Sequence, residues 1–446
     1  MAMMDSMDLV KNAVRRKEVV RTSRKGREHT ANYVRKVVNN LGKEMEVTVP
    51  ENQVIIALLV GSRRCGKTTL MASMVRGFKA VLGRSLRITP VESRTEAEVD
   101  RCNKNLRRMA ELPVTKIGVE PSTGISTYEF VIYHAEHPAN VFLFRFIDVP
   151  GEWVKQRPEE MKLLADAADI FYLPLHSPAM IEENGKRNDE INAPSYIREI
   201  MQNKGMIKDA TRPRLVLMVP QKCEKYFWQQ FDSAGSAYAM QTVTEKAKSM
   251  YRGMFSHLMH GDAIYGQNCT IGILPILTVG GAQFDQFYEE RDEEGHASLV
   301  EEYRMLITTH SSRKGFQPQL CEQPLLYTMR FLHEIVRRRH SGGKMGAFMR
   351  DMRNDGIGRA IKLAYHCPLL AVLHEATQIA DFSGFTREDC RRAFSDQDGM
   401  GQRPLPQGIY VNQDVFGYEM IHDPYNLFTA PTPKAKPVSE EATKTA

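Results

Sequence analysis

The chain has 446 residues, 42% hydrophobic and 26% charged, with a net charge of +6, an ordinary globular composition with room for two or three domains. No apolar run approaches the roughly 18 residues of a membrane-spanning helix, and the first residues lack the apolar core and cleavage site of a signal peptide. The seven cysteines are odd in number and scattered, which argues against a disulfide framework and for a reducing, cytoplasmic setting.

Charge is unevenly placed from the start of the chain. Residues 1–45 hold eleven Lys or Arg against five acids, so their surplus of six equals the net charge of the whole protein. We read residues 1–50 as a basic helical arm. Such an arm suits an acidic protein partner or an anionic membrane surface, and equally a solvated helix packed on the following domain. Val10, Val14, Val34 and Val37 are sparse for a membrane-surface helix, and only Tyr33 interleaves the cations, so nucleic acid is not the expected partner.

Residues 54–70 read VIIALLVGSRRCGKTTL, an apolar run ending in G-x-x-x-x-G-K-T. Gly61 and Gly66 let backbone N–H groups close around phosphate oxygens at the positive end of the next helix, with Ser62, Arg63, Arg64 and Cys65 forming the loop between them. Lys67 is placed to reach the β- and γ-phosphates and Thr68 to hold Mg2+, with Thr69 beside it. Residues 68–82 carry apolar positions at helical spacing, and residues 95–112 read as a second helix. Together they predict an α/β fold of the P-loop NTPase kind, a mostly parallel sheet flanked by helices. Residues 141–153, VFLFRFIDVPGEW, form a strand that ends in Asp148, a carboxylate placed to hold Mg2+, and in Gly151, whose backbone N–H can meet a γ-phosphate.

With these two elements the chain resembles the Ras-like GTPases of the translation-factor class. The resemblance implies a base-reading motif after residues 214–221, where Gln221-Lys222-Cys223-Glu224 stands in place of N-K-x-D. The Lys222 stem would pack on the base and Glu224 would accept the guanine N1 and N2 hydrogens. Thr278 and Val279, in IGILPILTVGG, take the place of the loop whose backbone touches the base. Thr123 and Thr127 both stand where the class has a threonine that senses the γ-phosphate and joins the metal site.

Three departures bear on catalysis. Glu152 follows Gly151 where fast hydrolysers have a Gln that orients water, and Arg63 and Arg64 replace small residues in the phosphate loop. Lys67, Glu152 and Arg63 are therefore the catalytic candidates, with slow turnover expected. About forty residues separate the first helix from the Thr123–Thr127 segment, and with D-x-P-G-E this resembles the divergent bacterial double-GTPase type.

Residues 324–339 read as an amphipathic helix that closes a nucleotide domain of residues 51–340. After the break at Ser341-Gly342-Gly343, residues 341–428 are expected to form a helical extension, and residues 429–446 a disordered tail. The resulting expectation is a GTP- and Mg2+-dependent switch acting on a protein effector or a second GTPase. The alternatives are a scaffold that binds nucleotide without turnover, and an ATPase should Glu224 not read guanine.

Overall fold

The computed structural model describes residues 6–16, 18–21, 28–31, 33–38, 44–49, 51–62, 65–82, 86–117, 124–134, 141–202, 213–227, 239–260, 268–291, 297–305, 315–340, 409–410 and 416–428. Helix α1 (Ser6–Ala13) leads into two short hairpins, β1 (Glu18–Arg21) with β2 (Glu28–Ala31), and β3 (Tyr33–Val38) with β4 (Glu44–Val49). Among the described residues of the helical arm expected over residues 1–50, only Ser6–Ala13 is helical. Val47 and Val49 alternate inward from β4 and pack with Val54, Val131, Tyr133, Val141 and Leu143, a period of two that only a strand produces.

The nucleotide domain is built on β5 (Val54–Leu59), α2 (Lys67–Leu82), β6 (Leu86–Pro90), α3 (Ser93–Glu111), β7 (Val114–Ile117), β8 (Ser126–His134) and β9 (Val141–Asp148). It continues through β10 (Ile170–His176), β11 (Arg214–Gln221), β12 (Cys269–Ile273), β13 (Ala282–Arg291), β14 (Ala297–Met305) and the helix Gln323–His340. Eight strands form one sheet in the order β15–β12–β11–β10–β5–β9–β8–β6, where β15 is Glu419–His422. Neighbours from β12 to β9 run parallel; β8, β6 and β15 are antiparallel at the two edges. Every residue of β5, β9, β10 and β11 is buried, as strands covered on both faces require, which is why they read as continuous apolar runs.

A second, three-stranded sheet of order β13–β14–β7 joins the hairpin Ala282–Met305 to the strand that follows α3. No pattern in the sequence announced it. Of the expected extension over residues 341–428, most lies outside the described residues, and the described end is no helix. Residues 416–428 return to the nucleotide domain, adding β15 beside β12. Phe416 lies parallel to the Phe227 ring, Tyr327 stacks on Phe428 at 4.5 Å, and the Thr244 hydroxyl donates to the Gly417 carbonyl. The tail expected over residues 429–446 lies outside the described residues.

At the end of the sheet where β5 begins, arginines take the place of apolar packing. The carbonyls that end the helix Pro158–Ala167 attract cations. Arg16 donates to the Ala167 carbonyl (3.1 Å) and to Asp169 (2.9 Å), while Arg214 donates to the carbonyls of Ala165 and Ala168 (2.8 and 2.6 Å). Arg145 of β9 faces Glu129 of β8 in register, at 2.6 Å, and also donates to the carbonyls of Ala13 and Arg15. Part of the basic N-terminal segment is therefore spent inside the fold.

Candidate functional site

The site forms where β5, β9, β11 and β12 end, the edge of a parallel sheet at which successive loops converge. Gly66 has φ +90°, a conformation that favours glycine, and a Cβ there would meet the end of the Gln221 side chain at 3.0 Å. Lys67, buried, donates to the carbonyls of Gly61 (3.1 Å) and Ser62 (3.0 Å), which folds its ammonium back over the loop. The Ser62 hydroxyl donates to the Ile191 carbonyl, and the Cys65 thiol, pushed up by burial, donates to the Ser62 carbonyl. Thr69, half-buried, follows in the first turn of α2. Arg63 and Arg64 lie outside the described residues.

Thr68 donates to Asp148 Oδ2 at 2.7 Å. Asp148 Oδ1 lies 3.9 Å from the Lys67 ammonium and has no hydrogen-bond partner of its own. Burial pushes the Asp148 carboxyl up, against the pull of Lys67 and Thr68. A buried carboxylate oxygen without a partner and the Thr68 hydroxyl beside it are oxygen donors that suit a small, hard divalent cation, while the Lys67 ammonium suits a phosphate. Of the two threonine candidates, Thr123 lies outside the described residues. Thr127 is exposed on β8, next to the residue paired with Asp148. Gly151 is half-buried, and Glu152 is exposed at the start of the short helix Trp153–Gln156.

On the other side of the phosphate loop, Gln221 Nε2 donates to the carbonyls of Cys65 and Gly66, both at 3.2 Å, tying the end of β11 to the loop. Glu224 is buried, and its Oε1 accepts the N–H groups of Val279 (2.7 Å) and Gly280 (3.2 Å). Burial pushes this carboxyl up and those two amides pull it down. The carboxylate expected to read guanine thus also caps the loop expected to touch the base. The Thr278 hydroxyl is buried there without a hydrogen-bond partner.

Gly280 has φ +80°, and a Cβ there would stand 1.9 Å from the Gln317 carbonyl. Gly280→Ala is expected to cost about 2 kcal/mol or more, because strain and a backbone clash add. A urea midpoint equal to that of the wild type would show that the loop is not held as described.

Lys222, at φ +60°, sends its ammonium 2.6 Å from Glu301 of β14. His176, Glu301 and Tyr303 complete this buried group, and none carried a sequence signal. Glu301 follows Lys222 by 79 positions and sits in a strand rich in charge.

A strand, phosphate loop and helix with a neighbouring-strand carboxylate, all at one edge of a parallel sheet, define a P-loop nucleotide-binding protein. Residues 54–260 match the model of the Double-GTPase 2 family, so this part of the chain is similar to the P-loop GTPase domains of the double-GTPase type. Among solved structures the chain is similar to the S. cerevisiae Ski7 GTPase-like domain bound to GTP, at 13% identity over 50% of this chain, with a TM-score of 0.25. The same domain bound to GDP and inorganic phosphate gives 12% identity and a TM-score of 0.26. The chain spans 43% of the length of those solved chains. No curated protein matches it. Among the described residues no helix is long and apolar enough to cross a membrane.

Proposed function

We propose that the protein binds GTP with Mg2+ and hydrolyses it slowly, acting as a two-state switch on a protein effector or a second GTPase. The observation that carries this reading is Asp148, a buried carboxylate bonded to Thr68 and close to Lys67, with one oxygen left over. Thr68 and Asp148 would hold the cation, which would neutralise the charge gathering on the phosphates. Lys67 would orient and stabilise the γ-phosphate, and the amides of the loop Gly61–Gly66 would enclose the β-phosphate. The segments around Thr127 and Gly151 flank this point and would respond to the presence of the γ-phosphate.

Glu152 supports slow turnover. Its carboxylate is exposed, and an anion there meets a tetra-anionic nucleotide where a neutral amide would orient water. The same residue favours a second reading, a scaffold gated by nucleotide without turnover. Single-turnover phosphate release separates the two. The basic character of residues 1–45 would serve an acidic partner or an anionic membrane surface, a role tested by binding to vesicles of stated anionic content.

The specificity test uses Trp153, buried beside Gly151 with the Arg157 guanidinium 5.2 Å from its ring. In a Trp228→Phe background, nucleotide-stripped protein is titrated with GTP and with ATP in Mg2+. A saturable fluorescence change with GTP alone is expected; a response to ATP at equal concentration would move the chain to the ATPases.

Asp148→Asn gives a further prediction. A carboxyl raised by the fold stabilises it while protonated, and that contribution is lost as pH rises through the folded-state value, so at neutral pH the free protein carries a penalty. The amide removes it and keeps the bond to Thr68, so the free variant is expected to be more stable than the wild type at neutral pH by urea denaturation. Mg2+ should no longer tighten its nucleotide binding.

A further inference from the structure

Glu301 Oε2 is met by three side chains: Lys222 Nζ at 2.6 Å, the Tyr303 hydroxyl at 2.6 Å and His176 Nε2 at 3.0 Å. His176 Nδ1 accepts the Ala179 N–H at 3.1 Å, so the proton of the ring sits on Nε2, 3.0 Å from the carboxylate. Burial favours this neutral ring and lowers its basicity, which leaves Lys222 as the positive charge that balances Glu301. Although burial pushes the Glu301 carboxyl up, His176 and Lys222 outweigh it and hold the group well below the usual carboxylate range. The pair joins a half-buried lysine to a buried carboxylate, and it immobilises that lysine on a loop that already grips the phosphate loop through Gln221.

The same residue reaches in a second direction. The backbone of Glu301 is the register partner of Ile117 in β7, the strand that leads from α3 toward residues 118–123. Beneath it, Val279 of the base loop packs in one cluster with Leu106, Met109 and Ala110 of α3 and with Phe284 and Tyr303 of the hairpin. The base side of the site, the hairpin β13–β14 and the insert α3–β7 therefore share one packed body.

We propose that Glu301 is a positioning residue for the nucleotide base: it fixes the Lys222 stem in the place where the base is to stack, and binds that place to the insert through β7. This deepens the reading above and rests on residues 221–224 and 278–280 forming the base site. It separates the base from the phosphates, because the contacts of Glu301 lie on the Lys222 side and none reaches Gly61, Lys67 or Thr68.

The test uses the full chain and its Glu301→Gln variant, titrated calorimetrically with GTP and with inorganic tripolyphosphate, which engages the phosphate loop alone. Loss of the Lys222 counter-ion is expected to weaken GTP about tenfold or more while tripolyphosphate stays within about twofold of wild type. Equal loss for both ligands would make Glu301 merely structural and overturn the proposal, as would unchanged GTP affinity. Wild-type protein that binds neither ligand would overturn the nucleotide reading, and this inference with it. Should Glu301→Gln fail to give the wild-type near-ultraviolet circular dichroism, Glu301→Asp, which keeps the charge and draws it back by one methylene, is judged by the same two titrations.

Discussion

Arg145→Met is expected to lower the free energy of unfolding by about 3–5 kcal/mol, a large share of the stability of any domain this size. Arg145 stands in the second strand from the phosphate loop and is 2% exposed. Its guanidinium answers Glu129 across the strand pair and carries two carbonyls from the end of α1, so one truncation strands a buried carboxylate and two acceptors. The double variant Arg145→Met, Glu129→Leu removes the stranded charge and should recover about half of the loss, the remainder reflecting the carbonyls of Ala13 and Arg15. Limited proteolysis should then cut within residues 6–16 faster than in the wild type. Urea midpoints of the single variant and the wild type within about 1 kcal/mol of each other would refute this account of how the N-terminal segment is held.

Lys67→Ala is expected to weaken GTP binding at least about a hundredfold, roughly 2.8 kcal/mol, with little effect on the fold. Two effects of the same sign add. The ammonium that meets the β- and γ-phosphates is lost, and Asp148 then faces the nucleotide with its nearest positive neighbour gone. The fold should persist with some loss of stability, because the ammonium bonds loop carbonyls that water can reach but is also the counter-ion of the buried Asp148 carboxylate. Wild-type affinity measured by calorimetry would remove residues 61–68 from the phosphate site.

The parts of the molecule that the sequence announced are those where one physical demand dominates. Strands buried on both faces must be apolar, so β5, β9 and β11 stand out. Backbone that must approach phosphate needs glycine at fixed spacing, so Gly61 and Gly66 were legible together with Lys67 and Thr68. The hairpins at the start of the chain were not, because Val34 and Val37 fit a helical spacing as well as a strand, and the structure leaves Val34 exposed on β3. The sheet β13–β14–β7 was hidden for another reason. Glu289, Glu290, Arg291, Glu301 and Glu302 give it the composition of a solvated loop, and Glu301 is buried against that composition only because Lys222 and His176 arrive from elsewhere. Glu224 was legible as a side chain at the base motif, but its hold on the Val279 and Gly280 amides depends on a loop 55 residues away.

The pairing of β15 with β12 also sets an order of assembly. Strand β12 leads directly into the base loop, and its outer edge is filled by residues that a ribosome adds about 150 positions later. Until then β12 is a sheet edge with open amides and carbonyls, Tyr327 lacks the ring of Phe428, and the turn bearing Phe227 lacks Phe416. Under the proposed reading the phosphate loop is complete early in synthesis and the base side late, so a growing chain would meet triphosphate before it could hold a nucleoside firmly.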